Sequence, residues 1–294
     1  MSEIKQDIWA EWLLHRRHGG DAQQLQVVLD YLYPIRDKVL DHARLNDNEV
    51  LLDVGCGDGL VAFGALDKVP SSTVIFSDIS ADLLNHARDL AEDMHMQQRC
   101  QFIHASADNL HPIPDTSVDV VTTRSVLIYV AAKQQAFHEF FRVLRPHGRL
   151  SIFEPINRFG YPEPLHQFGG FDMTPILDIA QKVKAVYAHL QPVETDPMLD
   201  FDERDLLTWA ERAGFHDIHL ELQAEIITPT EQMRWENFIR TAWNPKIPTL
   251  EDVMTQALTQ LEAERFANHL QPLVEANQRI VRSAIAYLWA VKQA

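Results

Sequence analysis

The sequence predicts an α/β fold, and three observations carry that reading. The apolar run Val50-Leu51-Leu52-Asp53-Val54 reads as a short buried strand. Three glycines alternate directly after it, at Gly55, Gly57 and Gly59, and the amphipathic stretch 60–69 then reads as a helix. Further short apolar runs and helical stretches succeed one another as far as residue 155, a strand–helix alternation.

The glycine turn is the most specific of these features. Glycine has no Cβ and takes positive φ, so backbone in such a turn can approach a ligand closely. The dinucleotide fingerprint is G-x-G-x-x-G. Here the spacing is G-x-G-x-G, with Asp53 two residues before the first glycine. Thr73–Asp78 reads as a second strand ending in a carboxylate, and Cys100–Ile103 as a third. Ser117–Ser125 is a fourth strand running into a loop. A helix is expected over 133–143, then the turn Leu144-Arg145-Pro146-His147-Gly148 and a fifth strand reaching Glu154.

In this order and spacing, the motifs resemble those of the class I S-adenosylmethionine-dependent methyltransferases, nearest the ubiquinone/menaquinone C-methyltransferase-like branch. The resemblance covers residues 45–155 closely and the rest loosely. It implies a Rossmann-like doubly wound seven-stranded sheet, with helical additions forming a substrate cap. It also implies S-adenosylmethionine as cofactor and S-adenosylhomocysteine as product. Gly55, Cys56 and Gly57 would form the turn around the methionine moiety, Cys56 through its backbone, while Asp53 organises that turn and the cofactor's amino end. Asp78 would accept hydrogen bonds from the ribose hydroxyls, a logic shared with NAD sites, and Ile79 would pack on adenine. The branch commonly reads glycine-aspartate-alanine-glutamate at 105–108. Ser106 takes the aspartate's place beside Ala107 and offers the base a hydroxyl instead. His147 stands where a second glycine is frequent, and Arg124 would shape the cofactor pocket through its backbone.

Composition narrows the partners. The 294 residues carry a formal charge of −16, from 42 acidic residues against 26 Lys and Arg, with 46% hydrophobic residues for a core. An acidic surface repels phosphate backbones, so nucleic acid is not expected as a partner. Two cysteines, Cys56 and Cys100, are too few for a metal site or a disulfide framework. No apolar signal core or span-length stretch is present, so a cytoplasmic protein without a membrane partner is expected. No motif sets the oligomeric state.

Three segments are additions to the core, which is expected over 45–228 plus 280–294. The first, 1–44, places Trp9, Trp12 and Leu13 on one helical face beside Arg16 and Arg17. It reads either as a docked amphipathic helix followed by a Gly19-Gly20 turn with Asp21 as N-cap, or as a lid. In the lid, Arg16 pairs with the cofactor carboxylate and the aromatic rings surround the sulfonium. The second, about 157–200, is a shaped loop rich in aromatic residues, glycine and proline before a helix around 174–190. His166 within it is the candidate general base, against the reading of a surface or capping histidine. The third, 229–279, is a helical cap between a strand over 216–227 and a last strand over 284–292; the alternative makes 277–294 another helix. Tyr129, after strand four, and Glu154, ending strand five, are candidate substrate-binding residues.

The function these expectations describe is in-line methyl transfer to an oxygen, nitrogen or carbon nucleophile of a small, apolar or aromatic metabolite. Alignment is the protein's main task there, and a base is needed only for a proton not easily lost. Two rivals stand beside it. One is a non-catalytic S-adenosylmethionine-binding regulator or subunit of the same fold. The other is an NAD-dependent oxidoreductase, against which the glycine spacing and the 144–148 turn both count.

Overall fold

A computed structural model describes residues 6–17, 22–230 and 233–294. In chain order the elements are α1 (Ile8–Glu11), continuing into one π-helical turn (Trp12–Arg16), α2 (Ala22–Ala43), β1 (Val50–Val54), α3 (Leu60–Lys68), β2 (Thr73–Asp78), α4 (Ala81–Asp93) and β3 (Cys100–His104). There follow β4 (Val118–Arg124), α5 (Lys133–Val143), β5 (Leu144–Pro155), a hairpin of β6 (Gln167–Phe168) and β7 (Phe171–Asp172), α6 (Leu177–Leu190) and α7 (Glu203–Ala213). The chain closes with β8 (His216–Ile227), α8 (Trp235–Arg240), α9 (Leu250–Ala257), α10 (Gln260–Glu275) and β9 (Val281–Val291). The expected N-cap at Asp21 lies outside the described residues.

Seven strands form one sheet in the order β3-β2-β1-β4-β5-β9-β8. β1 to β5 run parallel, while β9 inserts antiparallel between β5 and β8. The last strand is thus a strand and not a further helix, and it supplies the partner that β8 needs. Successive side chains of a strand face opposite sides. Leu51 accordingly packs with Leu32, Val39 and Leu66 of α2 and α3, while Leu52 packs with Phe137, Phe140 and Leu206 of α5 and α7. Covered on both faces, β1 needs the nearly continuous apolar run that its sequence shows.

A third hydrophobic cluster stands apart from these two. Phe168, Phe171, Ile179, Phe238, Val253 and Phe266 bring together the β6–β7 hairpin, α6, α8, α9 and α10. The later part of the expected helical cap over 229–279 holds two helices, α9 and α10. Thr249 with Asp252, and Thr259 with Glu262, form reciprocal capping boxes, so each threonine starts a new helix. Among the described residues no helix is long and apolar enough to cross a membrane.

Candidate active site

A cavity of about 500 Å³ lies where β1, β2 and β4 end, and the N-terminal segment forms part of its wall. That volume falls within the roughly 300–1,000 Å³ of small-molecule sites. Its glycine turn admits no side chain. Gly55 and Gly57 stand at φ +65° and +57°. A Cβ on Gly55 would fall 2.4 Å from Val126 Cγ2, and one on Gly57 3.0 Å from Leu13 Cδ2.

Asp78 ends β2 against this turn and lines the cavity. The Gly57 N–H donates to its Oδ2 at 2.8 Å and the Ser80 N–H to its Oδ1 at 2.9 Å. Each oxygen retains a lone pair for a further donor. Burial raises this carboxyl above its ordinary range, and the backbone donors at Ser80 and Gly57 oppose the rise.

Asp53 stands behind the turn and does not line the cavity. The Thr122 hydroxyl donates to its Oδ1 at 2.9 Å and the Ala62 N–H to its Oδ2 at 3.2 Å, joining β1 to β4 and to the first turn of α3. Burial pushes its carboxyl up to about 7. Cys56 is buried beside it, outside the lining, and its N–H donates to the Ser77 carbonyl at 3.0 Å. Burial raises its thiol well above the usual range.

Ile79, Ser106 and Ala107 form one wall of the cavity. The Ser106 hydroxyl donates to the Asp108 carboxylate, and Asp108 also lines the cavity. The sequence reading passed over Asp108, although it follows Ala107 directly.

Two guanidinium groups face the same space. Arg17 and Arg124 both line it, and among the described residues neither has an ion-paired or hydrogen-bonded acceptor. Arg17 lies over the Trp12 ring, 5.5 Å from its centroid. Burial, and then the neighbouring Arg124, lower the Arg17 pKa to about 10. Such a pair is poised for an anion. Arg16, the residue expected to meet the cofactor carboxylate, turns elsewhere. Its Nη2 donates to the Ile247 carbonyl at 3.0 Å, and its own carbonyl accepts the Ala242 N–H at 3.1 Å. Adjacent residues of a helical segment point in different directions, so Arg16 and Arg17 cannot share one task.

The N-terminal segment joins both sides of the site. Asp7 caps α1, accepting the Trp9 and Ala10 N–H groups at 3.0 Å, and its Oδ2 accepts the Ser80 hydroxyl at 2.7 Å. Farther along, Trp12 Nε1 donates to the Ala242 carbonyl at 2.7 Å. Trp9, Trp12 and Leu13 all line the cavity between those anchors.

Past β4 the chain turns sharply at Ser125, whose φ is +58°. Glu154 holds this loop from behind. The Val126 and Leu127 N–H groups donate to its Oε1 at 2.9 Å, and the Ile128 N–H to its Oε2 at 3.3 Å. Glu154 is fully buried and lies outside the cavity lining, and burial pushes its carboxyl up to about 7. The loop presents Tyr129 to the cavity, edge-on to Trp9 with ring centroids 5.0 Å apart. Burial raises the tyrosine's pKa, which keeps it a phenol. His166 is exposed beside the β6–β7 hairpin and does not line the cavity. Its carbonyl accepts the Met173 N–H at 2.7 Å, which turns the segment outward.

A parallel sheet, a glycine turn at its carboxyl edge and an acid ending the next strand define a nucleotide-cofactor fold. Comparison with known proteins narrows the class. Residues 52–152 match the family model described as a methyltransferase domain. The ubiquinone/menaquinone biosynthesis C-methyltransferase UbiE of Rickettsia massiliae is 30% identical over 182 residues, spanning 59% of this chain and 71% of that one. Its counterpart from Hahella chejuensis is 36% identical over 117 residues, 39% of this chain and 46% of the other. A geranyl diphosphate methyltransferase in complex with S-adenosylmethionine superposes with a TM-score of 0.53 at 18% identity, covering 93% of this chain and 92% of its own. The YcgJ protein of Bacillus subtilis has a TM-score of 0.53 at 15% identity, covering 88% and 98%. These two likenesses are of fold. The chain belongs to the class I S-adenosylmethionine-dependent methyltransferase family, near its ubiquinone/menaquinone C-methyltransferase-like branch.

Proposed function

We propose that the first cavity binds S-adenosylmethionine and that the protein transfers its methyl group to a small acceptor beside it. One observation carries this reading: Gly55, Gly57, Asp78 and two cations unpaired among the described residues, Arg17 and Arg124, converge on a single cavity. Asp78 has lone pairs for the ribose hydroxyls, and Ile79, Ala107 and Ser106 flank the base. Arg17 and Arg124 take the carboxylate of the amino-acid end. Asp53 and Cys56 act from behind, holding the turn, and Glu154 holds the loop that carries Tyr129. Residues 45–228 with 280–294 form the catalytic core in this reading, with the described residues of 1–44 as its roof and those of 157–200 and 229–279 as walls of the acceptor space.

When bound, S-adenosylmethionine supplies a methyl group on a positively charged sulfur, already a good leaving group. The chain's task is then alignment, bringing the acceptor atom within roughly 3–3.5 Å of that carbon. Trp9, Trp12 and Leu13 exclude water from the site. Aromatic faces near the sulfonium contribute about 0.5–2 kcal/mol by cation–π attraction. That one relative is a ubiquinone/menaquinone C-methyltransferase and one structural neighbour a geranyl diphosphate methyltransferase supports a small-molecule acceptor. The charge of −16 disfavours nucleic acid.

Calorimetric titration with S-adenosylmethionine, S-adenosylhomocysteine and NAD tests the reading, repeated on Asp78→Ala. The expected result is micromolar affinity for both sulfur compounds, none for NAD, and at least tenfold weakening in the variant. Binding of neither sulfur compound would refute it.

A further inference from the structure

A second cavity of about 500 Å³ adjoins the first. Pro155, Asn157, Met198 and Trp243 line both, so a molecule in the second cavity meets the same wall as one in the first. Much of its lining is apolar. Among its polar residues, buried Asn244 and Asp196 are linked through half-buried Gln191. Asn244 Nδ2 donates to Gln191 Oε1 at 3.0 Å, and Gln191 Nε2 donates to Asp196 Oδ2 at 2.6 Å. The Met198 N–H donates to Asp196 Oδ1 at 3.0 Å.

Asp196 is 6% exposed and lines this cavity, yet among the described residues no cation pairs with it. Neutral donors offset only part of the desolvation cost of a buried carboxylate, and a cation completes the compensation. Four aromatic residues line the same cavity, Tyr31, Tyr161, Phe238 and Trp243. Trp243 is held against Tyr187 and Phe238, with centroids 6.0 and 6.2 Å away. The Tyr161 phenol lies in the field of Glu163 and Asp196, which add to the rise that burial imposes on its pKa. Glu163 is occupied with the hairpin turn, accepting the N–H groups of Gly169 and Gly170 at 3.0 and 2.7 Å. Of the lining's cations, Arg279 precedes β9 and Arg282 lies near its start, whereas Pro155 at the shared wall pairs with Ile285 farther along the strand.

We propose that the second cavity is the acceptor site and that it selects an amine, a primary or secondary ammonium group bound by Asp196 with the aromatic faces of Tyr161 and Trp243, on an apolar body. The assignment rests on the cofactor reading of the first cavity. The ammonium group loses one proton to solvent and becomes a neutral amine, still held by hydrogen bonding to Asp196. Its nitrogen lone pair forms the new N–C bond as the S–C bond breaks, and that bond's electron pair stays on sulfur. The products are an N-methylated ammonium ion and the neutral thioether S-adenosylhomocysteine. A carboxylate and aromatic faces are the chemistry that recognises an organic cation.

The test begins by titrating the protein with S-adenosylhomocysteine. The saturated complex is then titrated with 2-phenylethylamine, tryptamine and octylamine, and with 2-phenylethanol, tryptophol and octanol as their neutral counterparts. The expected result is that at least one amine binds tenfold or more tightly than its alcohol. In Asp196→Asn that preference falls to within twofold, while affinity for S-adenosylhomocysteine is unchanged. The amine–alcohol comparison on the unsubstituted protein needs no variant, so a folding defect in Asp196→Asn does not protect the assignment. If S-adenosylhomocysteine binds but no amine outbinds its alcohol, or the preference survives Asp196→Asn, the acceptor assignment is overturned and the cofactor reading stands. If S-adenosylhomocysteine itself does not bind, both are overturned.

Discussion

Replacing Arg17 by alanine tests the cofactor end of the site most directly. Arg17 faces the cavity with no acceptor among the described residues, while its neighbour Arg16 bonds the Ile247 carbonyl. Bound to a carboxylate, the Arg17 guanidinium would make charge-assisted hydrogen bonds, each contributing about 1.5–3 kcal/mol. Arg124 lines the same cavity and retains part of the attraction, so the loss expected is that of one such bond. At 1.4 kcal/mol per decade, this weakens S-adenosylhomocysteine binding roughly 10- to 150-fold. The control ligand is 5′-methylthioadenosine, which keeps the nucleoside and the thioether but lacks the amino-acid end. Calorimetry on Arg17→Ala and Arg16→Ala with both ligands reads the difference. Arg17→Ala should weaken S-adenosylhomocysteine and leave methylthioadenosine within twofold, and Arg16→Ala should change both little. Equal weakening of both ligands by Arg17→Ala would refute the carboxylate assignment. A larger loss for S-adenosylhomocysteine in Arg16→Ala would do the same.

Three further outcomes follow from local geometry. Glu154 is held near pH 7 by burial while its unfolded value is that of a free glutamate, so the folded state keeps a proton that the unfolded state has lost. Its contribution is full below about pH 4 and is lost as pH rises through about 7, amounting to about 3 kcal/mol over that window. In Glu154→Gln that slope should vanish, so the variant should gain stability relative to the parent between pH 5 and 8 in denaturant titrations; parallel curves would contradict the burial argument. His147 is exposed and sits at φ +65°, so His147→Gly should stabilise by about 0.5–1 kcal/mol, seen as a small rise in Tm, whereas a fall would show that its side chain contributes more than the backbone strain costs. Trp12→Phe removes the indole bond to the Ala242 carbonyl, worth about 0.5–1.5 kcal/mol, and should speed S-adenosylhomocysteine release about 2- to 10-fold in stopped flow. An unchanged release rate would mean that this bond does not latch the roof.

Buried acids in this protein work mostly out of contact with the cavity. Asp53 and Glu154 each gather donors from segments distant in sequence, and each lies directly behind a loop that the cavity uses. Each has two oxygens that can accept, whereas an amide of the same size has one. Ser125 at positive φ marks the place where that holding force is needed. Such residues read as site residues from their position at strand ends, and their contribution is to shape.

The order of strand, glycine turn, helix and acid-terminated strand was legible because it is local. Burial on both faces dictates the apolar run of β1, and positive φ dictates Gly55 and Gly57, so composition alone reports both. The same logic placed Asp78, Ile79, Ser106, Ala107 and Tyr129 beside the carboxyl edge, where they line the cavity. Other choices depended on how distant segments pack. Arg17 rather than Arg16 faces the cavity because the N-terminal segment is pinned between Ser80 and Ala242, and neither anchor is visible from the pair itself. His166 looked like a base in a loop rich in aromatic residues, but the hairpin beside it turns that side chain to solvent. Asp196 lies in the unpatterned polar stretch Glu194-Thr195-Asp196, with no periodicity to single it out. Only the packing of 191–199 against Asn244 buries it and brings it to a cavity that adjoins the first. What the chain determined by itself is thus the machinery set by backbone conformation and alternating burial; the direction of individual charges was decided by tertiary contacts, since a helix phase or a loop's orientation is set by what packs on it.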